Sequence, residues 1–137
     1  MTADSHRIAR QFFEALSAGD LPDALLTEDM QAWTTSSGVW SDRARYQGGV
    51  RMLRTLFRGG ITYEIDSLTA EQDRVAAEVH AHGELVDGQP FENTYVFVLR
   101  LRDGRIASVA EHFNPIPVEQ KLRPLILAAM SKAGPPK

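Results

Sequence analysis

Apolar residues recur along this chain with two different periods, and the change falls near Gly60. Before it the spacing is helical. From about Ala3 to Ser17, Ile8, Phe12, Ala15 and Leu16 fall on one stripe, with Arg7, Arg10 and Glu14 elsewhere, which predicts an amphipathic helix. Gly19 is a natural stop, and Asp20 can cap a short second helix with Pro22 in its first turn. "MQAWTT" reads as a short strand and "SSGVWSDRA" as a loop. A third helix follows, its buried face formed by Val50, Leu53 and Leu56 or Phe57, and "RGG" ends it.

Beyond Gly60 the period is two, and four strands are predicted: "ITYEIDSL", "DRVAAEVHAHGEL", "PFENTYVFVLRLR" and "RIASVAEHFN". Their joints are "EQD", "VDGQP" and "RDGR", of which the last two are hairpin signals. The tail "VEQKLRPLILAAM" returns to a helical pattern that Pro124 kinks or splits, and residues 131–137 read as a flexible end. Helices first and a long antiparallel sheet afterwards is an α+β arrangement, expected as one domain over residues 1–137. A sheet of long strands with helices on one face tends to curl, and the space it encloses can hold a ligand.

Hairpin register decides what faces that space. "LRLRDGRI" admits a two-residue turn at Asp103-Gly104, or a three-residue loop with Gly104 left-handed as a bulge. The three-residue loop segregates polarity better and is preferred. It sets Tyr95 opposite Glu111, Phe97 opposite Val109 and Asn93 opposite Phe113. One face then collects Asn93, Tyr95, Phe97, Leu99, Leu101, Val109 and Phe113, and Glu111 is its only charged group. For "GELVDGQPF" a three-residue loop, Val86 to Gly88, is likewise preferred. It sets Val79 against Tyr95 and Ala81 against Asn93, leaving Glu78, His80, His82 and Glu84 on the other face.

Composition narrows the function classes. A net charge of -3 with no basic stripe argues against nucleic-acid binding. With no cysteine there is no thiol or disulfide chemistry. The N-terminal segment lacks the pattern of a secretory signal and no apolar run reaches membrane-spanning length, so the expectation is a cytoplasmic protein without membrane contact.

Among candidate groups Glu111 stands first. An inward carboxylate has its charged form disfavoured, and its pKa rises toward the range useful to a general acid or base. Tyr95 is its expected catalytic partner, with Asn93 orienting a ligand. Trp33, Thr35 and Tyr46 are expected as pocket walls, together with Val79, Phe97, Val109 and Phe113. His112, adjacent to Glu111, points to the opposite face and forms no dyad with it. His80 and His82 could meet a metal with Glu78 or Glu84, but no fourth ligand has a telling spacing; neither a metal site nor a cofactor is expected.

"PFENTYVFVLRLRDGRIASVAEHFNP", with "ARQFFEALSAGDL" as opening helix, resembles the SnoaL-like branch of the nuclear-transport-factor-2-like superfamily. The resemblance implies a cone: a curved mixed sheet packed with about three N-terminal helices plus a C-terminal one, usually a homodimer, with a pocket inside. The limonene-epoxide-hydrolase-like group carries an acidic residue where Glu111 stands. This chain has Trp33 and Thr35 in place of that group's Tyr-x-Asn, and Val79 and Ala81 in place of its Arg-x-Asp. Glu111, Asn114 and Pro115 match the closing Glu-x-x-Asn-Pro of the phenazine-biosynthesis proteins, whose glutamate is an acid/base; ketosteroid isomerases have a tyrosine where Phe12 stands. The leading expectation is a cofactor-free isomerase, cyclase or dehydratase (hydrolase or lyase chemistry also being open) for a hydrophobic metabolite. Its rival is a non-catalytic ligand-binding or dimerisation module of the same fold. The mixed face of Thr94, Val96, Val98, Ala110 and His112 suits a subunit contact.

Overall fold

The computed structural model describes residues 2–133. Helix α1 (Thr2–Ala18) ends where Gly19 takes a φ of 74°; Gly19 N–H donates to Leu16 O and Asp20 N–H to Ala15 O. That pair of bonds is the Schellman closure, and it requires a residue free to be left-handed. The short second helix expected after Asp20 is a single 3-10 turn, Asp23–Leu25. Strand β1 (Leu26–Thr34) and the short β2 (Trp40–Asp42) follow, then helix α2 (Arg43–Thr55). Asp42 caps α2 by accepting from the Arg45 N–H at 2.9 Å.

The long strands are β3 (Phe57–Glu71), β4 (Arg74–Leu85), β5 (Pro90–Arg102) and β6 (Arg105–Phe113). "RGG" does not end the helix as expected. Arg58, Gly59 and Gly60 lie inside β3, where both glycines are left-handed and the register shifts. The chain closes with α3 (Pro115–Pro117), a π turn (Val118–Leu122) and α4 (Arg123–Ala133). Pro124 sits in the first turn of α4, directly after the π turn, whose last bond runs from Arg123 N–H to Val118 O. Of the tail expected to be flexible, Ser131 to Ala133 complete α4, and residues 134–137 lie outside the described residues.

The six strands form one open, mixed sheet in the order β2-β1-β6-β5-β4-β3, with β1 parallel to β6 and the other pairs antiparallel. The α+β expectation holds. One face of the sheet packs on α1. Phe12 and Phe13 meet Phe97 edge-on, with centroids 6.0 and 4.9 Å away, and all three are buried. Each such ring contributes roughly 1.5–3 kcal/mol of burial.

The β4–β5 hairpin has the expected three-residue loop: Val79 pairs with Tyr95 and Ala81 with Asn93. The β5–β6 hairpin does not. Its turn is the two-residue Asp103-Gly104, with φ of 52° and 76°, pairing Arg102 with Arg105. One residue further into β6 the register slips. Leu101 pairs with Ile106 but Arg100 with Ser108, so Ala107 is a bulge residue without a partner. Glu111 therefore lies opposite Phe97, not Tyr95, and Tyr95 lies opposite Phe113. Turn and bulge together displace the pairing by two residues, which preserves side-chain parity. Glu111 faces inward, as expected, by a different route.

Candidate functional site

The sheet's inner face, α2 and the C-terminal helical segment enclose a cavity of about 370 Å³ with predominantly apolar walls. Leu16, Val50, Leu53, Ile61, Leu122 and Ile126 supply much of that lining, while Ser36, Ser37, Ser41 and Arg45 add polar groups from the β1–β2 loop, β2 and the start of α2. The final helical segment thus covers this cavity through Val118, Leu122 and Ile126.

Among the described residues Glu111 is the one carboxylate lining the cavity. Tyr46 donates its hydroxyl to Glu111 Oε2 at 2.5 Å, and no second donor meets the carboxyl among the described residues. The Asp42 cap fixes the start of α2, placing Tyr46 four residues on, one turn before Val50 on the same buried stripe. The strand backbone beneath Glu111 is held from β1: Thr35 Oγ1 donates to the Glu111 carbonyl at 3.2 Å and accepts from the Phe113 N–H at 3.1 Å.

Desolvation raises the Glu111 carboxyl from an ordinary 4.5 to about 7, with the Tyr46 hydrogen bond pulling the other way. Tyr46, Tyr63 and Tyr95 move upward as well. Burial is the largest cause for each, and the charge of Glu111 adds to all three. The phenols therefore stay protonated and serve as hydrogen-bond donors. Among the described residues that line this cavity, Glu111 is the group placed to exchange a proton near neutrality.

Several expected site residues take other roles. Trp33 lies on the opposite face of the sheet, where its ring packs on His112 with centroids 4.9 Å apart. It alternates with Met30, Ala32 and Thr34, which point inward, and so takes the outer side. Thr35 is the backbone clip just described, not a cavity wall. Asn93 is buried and tied up structurally: Nδ2 donates to Asn114 O at 2.9 Å and Oδ1 accepts from the Thr94 N–H at 3.0 Å. Val79, Phe97 and Val109 are fully packed core residues that do not reach the cavity. Tyr95, Tyr46 and Phe113 do line it. Tyr95 does so without bonding to Glu111; Tyr46 takes that place.

Tyr63 is the residue that sequence reasoning missed. It lines the cavity beside Tyr95, with ring centroids 5.9 Å apart, and its N–H donates to Ser17 Oγ. Its signal was present. Ile61, Tyr63 and Ile65 alternate, and Tyr63 pairs with Ala81, Ile65 with Val79, both of which the neighbouring hairpin had already turned inward.

The profile of the SnoaL-like domain matches residues 9–109. The chain belongs to the SnoaL-like family. Structures bear out the fold. AclR from Streptomyces galilaeus, a proposed hydroxylase, superposes with a TM-score of 0.78 at 19% identity over 97% of this chain and 93% of its own. IdmH from Streptomyces antibioticus, a proposed polyketide cyclase, gives 0.75 at 22% identity over 86% and 97%. In sequence, the uncharacterized protein YesE of Bacillus subtilis (strain 168) is 32% identical over 53 residues. That stretch is 38% of this chain and 36% of YesE, so the chain spans about a third of that relative.

Proposed function

We propose that this protein is a cofactor-independent acid/base enzyme of the isomerase, cyclase or dehydratase kind, acting on a hydrophobic, cyclic or polyketide-like small molecule. The observation that carries the reading is the single inward carboxyl in an apolar cavity, raised to about 7 and held by one neutral phenol. At that pKa Glu111 is half protonated near neutrality, and can take a proton from a carbon acid and return it elsewhere on the same molecule. Tyr46 keeps the carboxyl in one rotamer and stabilises its anion. Tyr63 and Tyr95, protonated phenols in the same wall, are suited to donate to a carbonyl oxygen as it gains charge. A cavity of about 370 Å³ fits one small ligand with its polar end toward the serines and Arg45. The description of IdmH as a proposed polyketide cyclase accords with this substrate class.

The experiment is a ¹³C NMR titration of Glu111, paired with deuterium exchange from heavy water into a panel of hydrophobic cyclic ketones. The expected result is a titration near 7 and exchange that disappears in Glu111→Gln. A carboxyl titrating at its ordinary value would sink the proposal. Ligands that bind without exchanging a proton in any case tried would favour the non-catalytic binding module. We further propose a homodimer through the outer face around Val96 and His112, where Val96 is 41% exposed. A monomeric mass by light scattering at micromolar concentration counts against it.

A further inference from the structure

The outer face of the β3–β4 pair carries a second cluster of chemistry, on the side of the sheet away from the cavity. His80 and His82 alternate along β4 and so project from the same face, with rings stacked at 6.1 Å and 25°. Glu64 on β3 lies directly across from His80. Its Oε2 is 2.5 Å from His80 Nε2 and 3.4 Å from His82 Nε2. One donor atom from each of the three residues falls within 4.8 Å of the others. The ring's remaining nitrogen is spoken for: His80 Nδ1 faces both oxygens of Asp66, at 2.9 and 3.0 Å. Asp66 reaches it from a bulge, since Ile65 pairs with Val79 and Ser67 with Glu78, leaving Asp66 without a cross-strand partner.

We propose that Glu64, His80 and His82 form a binding site for a divalent transition cation, with Asp66 as the carboxylate that orients His80. The donor set is two imidazoles and a carboxylate, the combination that suits zinc and its neighbours and leaves a position for water or a small ligand. Ligand bonds of about 2.1 Å at tetrahedral angles put donor atoms roughly 3.4 Å apart. The Glu64–His82 pair already has that spacing. The Glu64–His80 pair has to open by under about 1 Å, within reach of side chains that are 41% and 53% exposed. Asp66 holds His80 through Nδ1, so Nε2, which here hydrogen-bonds Glu64, is the nitrogen left to exchange its proton for a cation, the arrangement that commonly supports metal-bound histidine. Two carboxylates beside the two imidazoles also bring the negative charge a dication requires. Sequence spacing alone pointed to Glu78 or Glu84 as partners and to no site. The actual partners come from the neighbouring strand, through register the sequence does not display.

The test is calorimetric titration of the untagged full chain with Zn²⁺ in a non-coordinating buffer. The expected result is one equivalent bound, weakened about 100-fold in His82→Ala and about 10-fold or more in Glu64→Gln and Asp66→Asn. His112→Ala serves as a control and is expected to bind as the wild type does. The ring signals of His80 and His82 in the wild-type NMR spectrum should shift together, which tests the site without relying on any variant's folding. Absence of saturable binding, zinc binding that survives His82→Ala, or shifts confined to His6 or His112 would each overturn the proposal.

Discussion

Two glutamates on two strands of one sheet, Glu111 and Glu64, have the same side chain and opposite fates. Glu111 points into an apolar cavity, meets one phenol, and holds its proton up to about pH 7. Glu64 points outward, is 53% exposed, and lies between two imidazoles. The contrast shows what a sheet does with chemistry. The choice of face sets solvation, and solvation sets whether a carboxyl trades protons or gathers cations. Parity alone makes that choice, so a change of one residue in register is worth more than most substitutions.

The largest expected effect therefore comes from inserting one alanine between Ser108 and Val109. The added residue would move Val109, Glu111 and Phe113 opposite Val98, Val96 and Thr94, on the outer face. The expected loss exceeds about 4 kcal/mol, because two apolar residues leave the interior with the carboxyl. Urea unfolding reads it, and a variant of wild-type stability would show that register beyond the bulge is not what sets the face.

Next is Glu111→Gln. The folded-state pKa of Glu111 lies above its unfolded value, so between about pH 4.5 and 7 the unfolded chain releases a proton that the folded chain keeps. Stability contributed by this group thus falls as pH rises through that window. The displacement corresponds to roughly 3 kcal/mol. Glu111→Gln should match the wild type near pH 4 and be the more stable protein near pH 8; equal pH dependence in the two would remove the buried-carboxyl account.

Tyr46→Phe is smaller, on the order of 1 kcal/mol. Since the Tyr46 hydrogen bond lowers the Glu111 pKa, its removal should push the carboxyl's titration further upward in the same NMR experiment. A downward movement would mean the phenol is not the donor. Smallest is Trp33→Ala on the outer face, about 1 kcal/mol from the lost packing on His112. It should leave the Glu111 titration where it was, whereas the earlier reading of Trp33 as a pocket wall would move it.

Much of the fold was legible because its long elements carry strong periods. β5 runs from Pro90 to Arg102, the limits its alternation predicts, and the helical stripe of Ile8, Phe12 and Leu16 is the buried face of α1. What escaped were features set by neighbours. β2 has three residues and exists because β1 offers an edge. Trp33 and Thr35 were expected as pocket walls with no strand partner to set their roles; pairing with β6 turns Trp33 outward and spends Thr35 on the β6 backbone. Glu111 was legible as an inward acid, but its partner Tyr46 comes from a helix 65 residues away in sequence, a contact no spacing rule reaches. The Glu64–His80 contact was hidden for the same reason.

The pairing of a short turn with a bulge at Ala107 also bears on how relatives are compared. A homologous chain with a three-residue loop and no bulge keeps its acid on the inner face while placing it two ladder positions from where Glu111 stands. Aligning the two chains by matching their glutamates would then superpose residues that face different neighbours, Phe97 in one and the tyrosine two residues before it in the other. Hairpin length and bulge count have to be read as one inherited unit before any acidic residue on this strand is equated across the family.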